Sequence, residues 1–182
     1  MIRLFAGLSI PDDHRRTLAT IQNGVKDARW IDPENLHITL RFIGEVDEDV
    51  AAQIALALGD VTAEPFEVTL KGVGTFGSPP HSLWVGTEDA PSGALAHLYA
   101  NVESALVRTG LEPEGRKFTP HVTLTRFRRS VNPGRLAEHL STHAGFCLEP
   151  FRVQGFTLFE SHLGHKGAHY TPFSTYDLHR NT

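Results

Sequence analysis

Two short stretches of the chain place a histidine and a threonine at the same spacing: His37-Ile38-Thr39-Leu40 and His121-Val122-Thr123-Leu124. With 11 His, 16 Thr and 40% apolar residues in 182 positions, random placement gives about 0.15 copies of His-apolar-Thr-apolar, and two copies about one time in a hundred. Side chains alternate along a strand, so in each copy the His and Thr share one face and the apolar residues take the other. Where two such faces meet, two imidazoles and two hydroxyls surround one point. An imidazole titrates near pH 6.5, so one ring can act as acid and the other as base close to neutrality. Hydroxyls donate to non-bridging phosphate oxygens without adding charge, and Arg126, just past the second copy, offers a cation. That combination suits phosphoryl transfer. One copy alone reads more simply as a half-buried strand with hydrogen-bonded polar residues; two copies in matched positions reverse that preference.

The elements that would have to position these residues can be read from periodicity. Helical spacing marks Pro11 to Ala28 (Leu18, Ile21, Val25), Asp47 to Leu58, Ser92 to Thr109 (Leu95, Leu98, Val102, Leu106), and a short fourth segment after Asn132 and Pro133, ending before Gly145. Strand-like runs lie at Ile2 to Leu8, Leu36 to Ile43, Phe66 to Val73, Ser82 to Thr87, His121 to Phe127, Phe151 to Glu160 and Ala168 to Leu178. Gly72 to Pro80 reads as a loop, and Asp89 to Ser92 as a crossover between halves. After the first strand the order is helix, strand, helix, strand, strand, and then the same again. Each His/Thr pair falls in the corresponding strand of its half. The expected fold is α+β and duplicated: two lobes related by a pseudo-two-fold, roughly 1–90 and 91–182, with antiparallel sheets lining a central cleft and helices outside. The terminal strands have room to exchange between lobes.

Composition limits the alternatives. A charge of −4 argues against bulk coating of nucleic acid, but Arg116, Lys117, Arg126, Arg128 and Arg129 make the 116–129 stretch +5 and the remainder −9. A local anion site fits this distribution, and so does a solvated basic loop. The lone Cys147 cannot form an internal disulfide and reads as a small hydrophobe. The N-terminal apolar run is short and reads as a buried strand, no segment approaches the length of a membrane span, and cytoplasmic residence is the default expectation.

On these residues the chain resembles the two-histidine (2H) phosphoesterases, in particular the LigT-type RNA 2′,3′-cyclic phosphodiesterases, historically called 2′-5′ RNA ligases. The resemblance runs from Arg3-Leu4-Phe5-Ala6 through NLHITLRFIGEV (Asn35 to Val46), Leu83-Trp84 and FTPHVTLTR (Phe118 to Arg126) to LFES (Leu158 to Ser161) and Tyr170. It implies a bilobal fold of antiparallel sheets flanked by helices, no metal or other cofactor, and hydrolysis of RNA 2′,3′-cyclic phosphate ends to 2′-phosphomonoesters. It carries over His37, Thr39, His121 and Thr123 as the catalytic set, with His37 as acid and His121 as base, and Arg126 as a phosphate contact. The expected partners are RNA ends or small cyclic nucleotides, with no membrane, and the chain is expected to be a monomer. Other readings are a 2′-5′ RNA ligase, a 2′-5′ oligoadenylate hydrolase, or an RNA-end binding protein that turns nothing over.

Other residues invite chemistry without being assigned it. His162, His165 and His169 sit beside Gly164 and Gly167 in what reads as a hairpin connection, where a zinc site has little support without cysteines. Tyr170, Phe5 and Phe42 are candidates to stack a base, and each taken singly fits core packing better.

Overall fold

The structure, a computed structural model, describes residues 1–179. In chain order the elements are β1 (Ile2–Ser9), α1 (Asp12–Ala19), β2 (Arg29–Trp30), a 3₁₀ turn (Pro33–Asn35), β3 (His37–Val46), α2 (Glu48–Leu58), β4 (Phe66–Phe76) and β5 (Ser82–Asp89). They continue with α3 (Ala94–Arg108), β6 (His121–Arg126), α4 (Pro133–Thr142), β7 (Phe151–Val153), β8 (Gly155–Gly164) and β9 (Gly167–Asp177). The α+β class follows directly from this list.

All strand pairs are antiparallel, in the order β7-β4-β5-β6-β3-β1-β8-β9, with β2 paired to β6. At the centre, β3 and β6 share a single register pair, Ile38 with Val122. The sheet therefore divides into two four-stranded wings, β3-β1-β8-β9 and β6-β5-β4-β7, whose ladders meet, among the described residues, only at the strands that carry the two His/Thr pairs. One apolar core underlies both wings, drawing Leu4, Leu8, Ile38 and Leu158 from the first, Leu70, Leu83, Val85 and Val122 from the second, and Leu18, Ile54 and Leu98 from the helices. Alternation then leaves the opposite face of each wing for the His and Thr residues.

The helices start and stop for local reasons. The Asn132 side chain accepts the Gly134 and Arg135 N–H groups at 3.0 and 3.1 Å, capping α4. At α3 the cap comes from β5 instead, where Asp89 accepts the Leu95 and Ala96 N–H groups at 2.9 and 3.1 Å. The first helix is shorter than periodicity suggests, ending at Ala19 rather than Ala28. There the Thr20 hydroxyl donates to Thr17 O at 2.6 Å, Asn23 turns its amide onto Thr20 O, and Gly24 takes φ +80°. Ile21 and Val25 are still buried, so the apolar period survives in a chain of turns.

Two further expectations need correction. Much of the Gly72 to Pro80 stretch is not loop: β4 continues to Phe76, pairing Gly74 with Trp84 and Phe76 with Ser82. The glycine at position 74 makes room, because a Cβ there would collide with the Trp84 ring. The run from Phe151 to Glu160 is two strands, since β7 pairs with β4 and β8 with β1. Gln154 alone carries the chain from one wing to the other, and its carbonyl accepts the Leu178 N–H at 2.8 Å. The two-residue β2 went unread because so short a strand has no period.

Candidate active site

His121, Thr123 and Arg126 all line one cleft, although strict alternation would put residues 123 and 126 on opposite faces. A bulge resolves this. Trp84 pairs with Thr123 and the next residue back, Leu83, pairs with Thr125, so β6 spends two residues where β5 spends one. Thr125 is thereby sent inward, fully buried, with its hydroxyl on Arg29 O at 2.7 Å, while Arg126, opposite Ser82, turns to the cleft. The other wing carries the same device, with Gly7 pairing with Thr39 and Ala6 with Arg41. Arg41 is buried and ion-paired to Glu103 at 2.6 Å, and Phe42 takes the place that Arg126 holds in the second copy.

Both motifs face this one cleft, of about 780 Å³, which also contains Arg3, Phe5, Ser82, Arg116, Lys117 and Tyr170. The volume lies within the range typical of small-ligand sites. Each imidazole is fixed in the same way. His37 Nδ1 donates to Asn35 O at 2.7 Å, and His121 Nδ1 donates to Thr119 O at 2.6 Å, each a carbonyl two residues back. That assigns the proton to Nδ1 and leaves Nε2 as the working nitrogen of both rings. In the first motif the Thr39 hydroxyl lies 3.0 Å from His37 Nε2 and donates to it.

The surroundings differ more than the motifs do. His37 is enclosed by Phe5, Tyr170 and Phe159, with ring centroids at 4.7, 5.2 and 6.4 Å. His121 is less enclosed and lies against Phe76 at 4.8 Å and Trp84 at 6.0 Å. Burial lowers the His37 pKa to about 4, only partly opposed by its hydrogen bond to Asn35 O, with the Arg126 and His121 charges lowering it further. Burial also lowers His121, and Arg126 again acts in the same direction. Arg126 is thus close enough to be felt by both rings. Burial raises the Tyr170 phenol, while Arg126 and Arg3 both pull it down.

The five residues singled out by sequence, His37, Thr39, His121, Thr123 and Arg126, come together here. Of the basic stretch, Arg116 and Lys117 join them, but Arg128 and Arg129 do not line the cleft. Phe5 and Tyr170 pack on His37, and Phe42 is 45% exposed on the cleft wall. Pattern reading missed Phe76, hidden in the supposed loop, and Ser82. The Ser82 residue is 1% exposed, and its hydroxyl has no hydrogen-bond partner among the described residues. Cys147 is exposed rather than packed. Among the described residues no cluster of three or more His, Cys, Asp or Glu is placed to hold a metal, so the His162, His165 and His169 trio does not assemble one. His162 instead contacts Thr171 Oγ1 at 3.0 Å. No helix of the described residues is long and apolar enough to cross a membrane.

Comparison with known proteins bears on both the repeat and the cleft. A family model described as LigT like Phosphoesterase matches twice, over residues 8–84 and 85–170. An RNA 2′,3′-cyclic phosphodiesterase of Archaeoglobus fulgidus is 32% identical over 181 residues, covering 97% of this chain and all of the relative. One from Aeropyrum pernix is 37% identical over 144 residues, covering 78% of this chain and 81% of the relative. Among solved structures, E. coli LigT complexed with 3′-AMP superposes with a TM-score of 0.79 at 25% identity, covering 98% of this chain and 99% of the other.

Proposed function

The chain belongs to the LigT-like phosphoesterase family, and on that premise we propose that it hydrolyses RNA 2′,3′-cyclic phosphate ends to 2′-phosphomonoesters by acid–base catalysis between His37 and His121. The observation that carries the reading is the matched anchoring of the two rings, each held through Nδ1 by the carbonyl two residues before it, so that two Nε2 atoms serve one cleft. The names of the relatives, and the nucleotides bound in the LigT crystal structures, support the substrate class.

Water attacks phosphorus in line with the departing 3′ oxygen, so base and acid must stand at opposite ends of the reacting axis. His121 Nε2 takes the proton of the attacking water. The new P–O bond forms as the P–O3′ bond breaks, and His37 delivers its Nε2 proton to O3′, leaving the phosphate on the 2′ oxygen. Thr39 and Thr123 donate to the non-bridging oxygens, and Arg126 balances their charge. Ser82, whose buried hydroxyl lacks an internal acceptor opposite Arg126, supplies one more donor once a phosphate oxygen arrives. In the empty cleft His37 is neutral at pH 7. A bound phosphate anion favours its imidazolium form, so the acid acquires its proton together with substrate.

This reading takes residues 1–182 as one domain of two lobes, roughly 1–90 and 91–182, with strands exchanged between them, acting as a cytoplasmic monomer. The deciding experiment incubates the protein with an oligoribonucleotide bearing a 2′,3′-cyclic end, with and without EDTA, and locates the phosphate in the product. A 2′-monoester formed equally under both conditions supports the proposal. Unchanged cyclic ester, or activity that requires a restored divalent ion, rejects it.

A further inference from the structure

The doubled motif is asymmetric at one position. After the same bulge, the residue three past the threonine is Arg126 in one wing and Phe42 in the other. The first wing still has a cation there, but it comes from the neighbouring strand. Arg3 on β1 lies over the Phe42 ring, with its guanidinium carbon 5.6 Å from the centroid, and lines the same cleft. Stacking on an aromatic face holds the planar guanidinium while leaving its N–H edge free for an anion. Glu45 is opposite Arg3 in register, yet among the described residues Arg3 forms no ion pair with it or with any other acid.

The two cations do not share one task. Arg126 acts on both imidazoles, whereas Arg3 is absent from the charges that shift either of them. Both act on the Tyr170 phenol. Along β1, Arg3 lies two residues beyond Phe5, the ring that packs on His37, so within the shared cleft it stands further along the first wing than the imidazole, whereas Arg126 lies on the strand that carries His121.

We propose that Arg3, stacked on Phe42, forms a second anion subsite that holds the phosphodiester next to the cyclic end, so that the cleft selects a strand of RNA over a cyclic mononucleotide. The inference rests on the function proposed above and specifies its substrate. A cyclic mononucleotide offers one phosphate, to Arg126; a dinucleotide with a cyclic end offers a second, to Arg3. Phosphodiester recognition of this kind is carried by charge-assisted hydrogen bonds and weakens with salt.

The test measures kcat/KM for a 2′,3′-cyclic-ended dinucleotide and for the matching 2′,3′-cyclic mononucleotide, in the wild type and in Arg3→Gln, Arg3→Lys and Phe42→Leu. The quantity read is the ratio between the two substrates. In the wild type the dinucleotide is expected to be favoured by about tenfold. In Arg3→Gln the ratio falls toward one, and the dependence of log kcat/KM for the dinucleotide on log salt becomes shallower by about 0.7. Arg3→Lys recovers part of the preference, and Phe42→Leu, which keeps the charge but removes its platform, gives an intermediate ratio. A wild-type ratio near one, or a ratio unchanged in a folded Arg3→Gln variant, overturns the second subsite while leaving the hydrolase reading intact. Absence of turnover on either substrate in the wild type rejects the function itself and this inference with it.

Discussion

Beside His37 the adjoining strand presents Gly7 and Phe5; beside His121 the equivalent positions hold Trp84 and Ser82. Motif, bulge and anchoring carbonyl are the same in both wings, but the large and small neighbours trade places. In the first wing Phe5 is free to cover the imidazole and, with Phe159 and Tyr170, strips it of water. In the second, the large ring sits at Trp84, the place opposite is a serine, and the cleft stays open to Arg126. A duplicated backbone thus anchors the two histidines alike, and the residues packed beside them give the rings different proton affinities.

The largest effect to be expected removes either member of the pair. His37→Ala and His121→Ala should each lower kcat on a cyclic-ended oligonucleotide by about 10² to 10⁴, and the double variant should be little worse, because the rings act as a unit. Near-normal turnover in one variant would show that the wings are not partners. Next comes the one-sided cation. Arg126→Ala should cost about 10² in kcat, while Phe42→Ala, at the matching position, should cost under about tenfold. Equal losses would mean that the asymmetry has no catalytic meaning.

The pH profile sharpens the comparison further. On the proposed mechanism, productive binding needs one neutral and one protonated ring in the free enzyme, and both pKa values lie below the ordinary 6.5, that of His37 at about 4. The optimum of kcat/KM should therefore fall on the acid side of pH 6.5, with that of kcat at higher pH because bound phosphate raises both values. Arg126→Gln removes a charge that lowers both rings, so its kcat/KM optimum should move upward. An optimum above pH 7 in the wild type, from stopped or continuous assays, would break this account. The smallest effect is on stability. His37 titrates near 6.5 unfolded and near 4 folded, so its contribution is complete above pH 6.5 and is lost as pH falls toward 4. His37→Phe should flatten the acid fall in Tm more than His121→Phe does, as read by thermal denaturation across that range.

Much of this was legible in the residues. Histidine and threonine two apart declare a shared strand face, and their repetition in matched elements declares the pairing of the wings. Arg126 was nameable, but the reason it reaches the cleft was not, since a bulge is set by the register of the partner strand and leaves no mark in its own sequence. The glycines of β4 misled for a related reason: Gly74 signals a turn by type, yet it serves the indole of a residue ten positions on. Gln154 is unremarkable in sequence, and only the pairing of its neighbours shows that the chain changes wings there. Arg3 and Phe42 are 39 positions apart, and no period links them.

Strand order makes the two halves interdependent. In element order the two halves run β1-α1-β3-α2-β4 and β5-α3-β6-α4-β8, leaving aside the short β2 and β7, and each sends a late strand into the other's wing: β4 lies against β5, and β8 against β1. A single segment released from its sister would lack its closing strand and expose raw backbone along β1 or β5, an edge that invites a second chain. Each half thus relies on the other for its last strand, the same dependence that strand exchange creates between two copies of one chain.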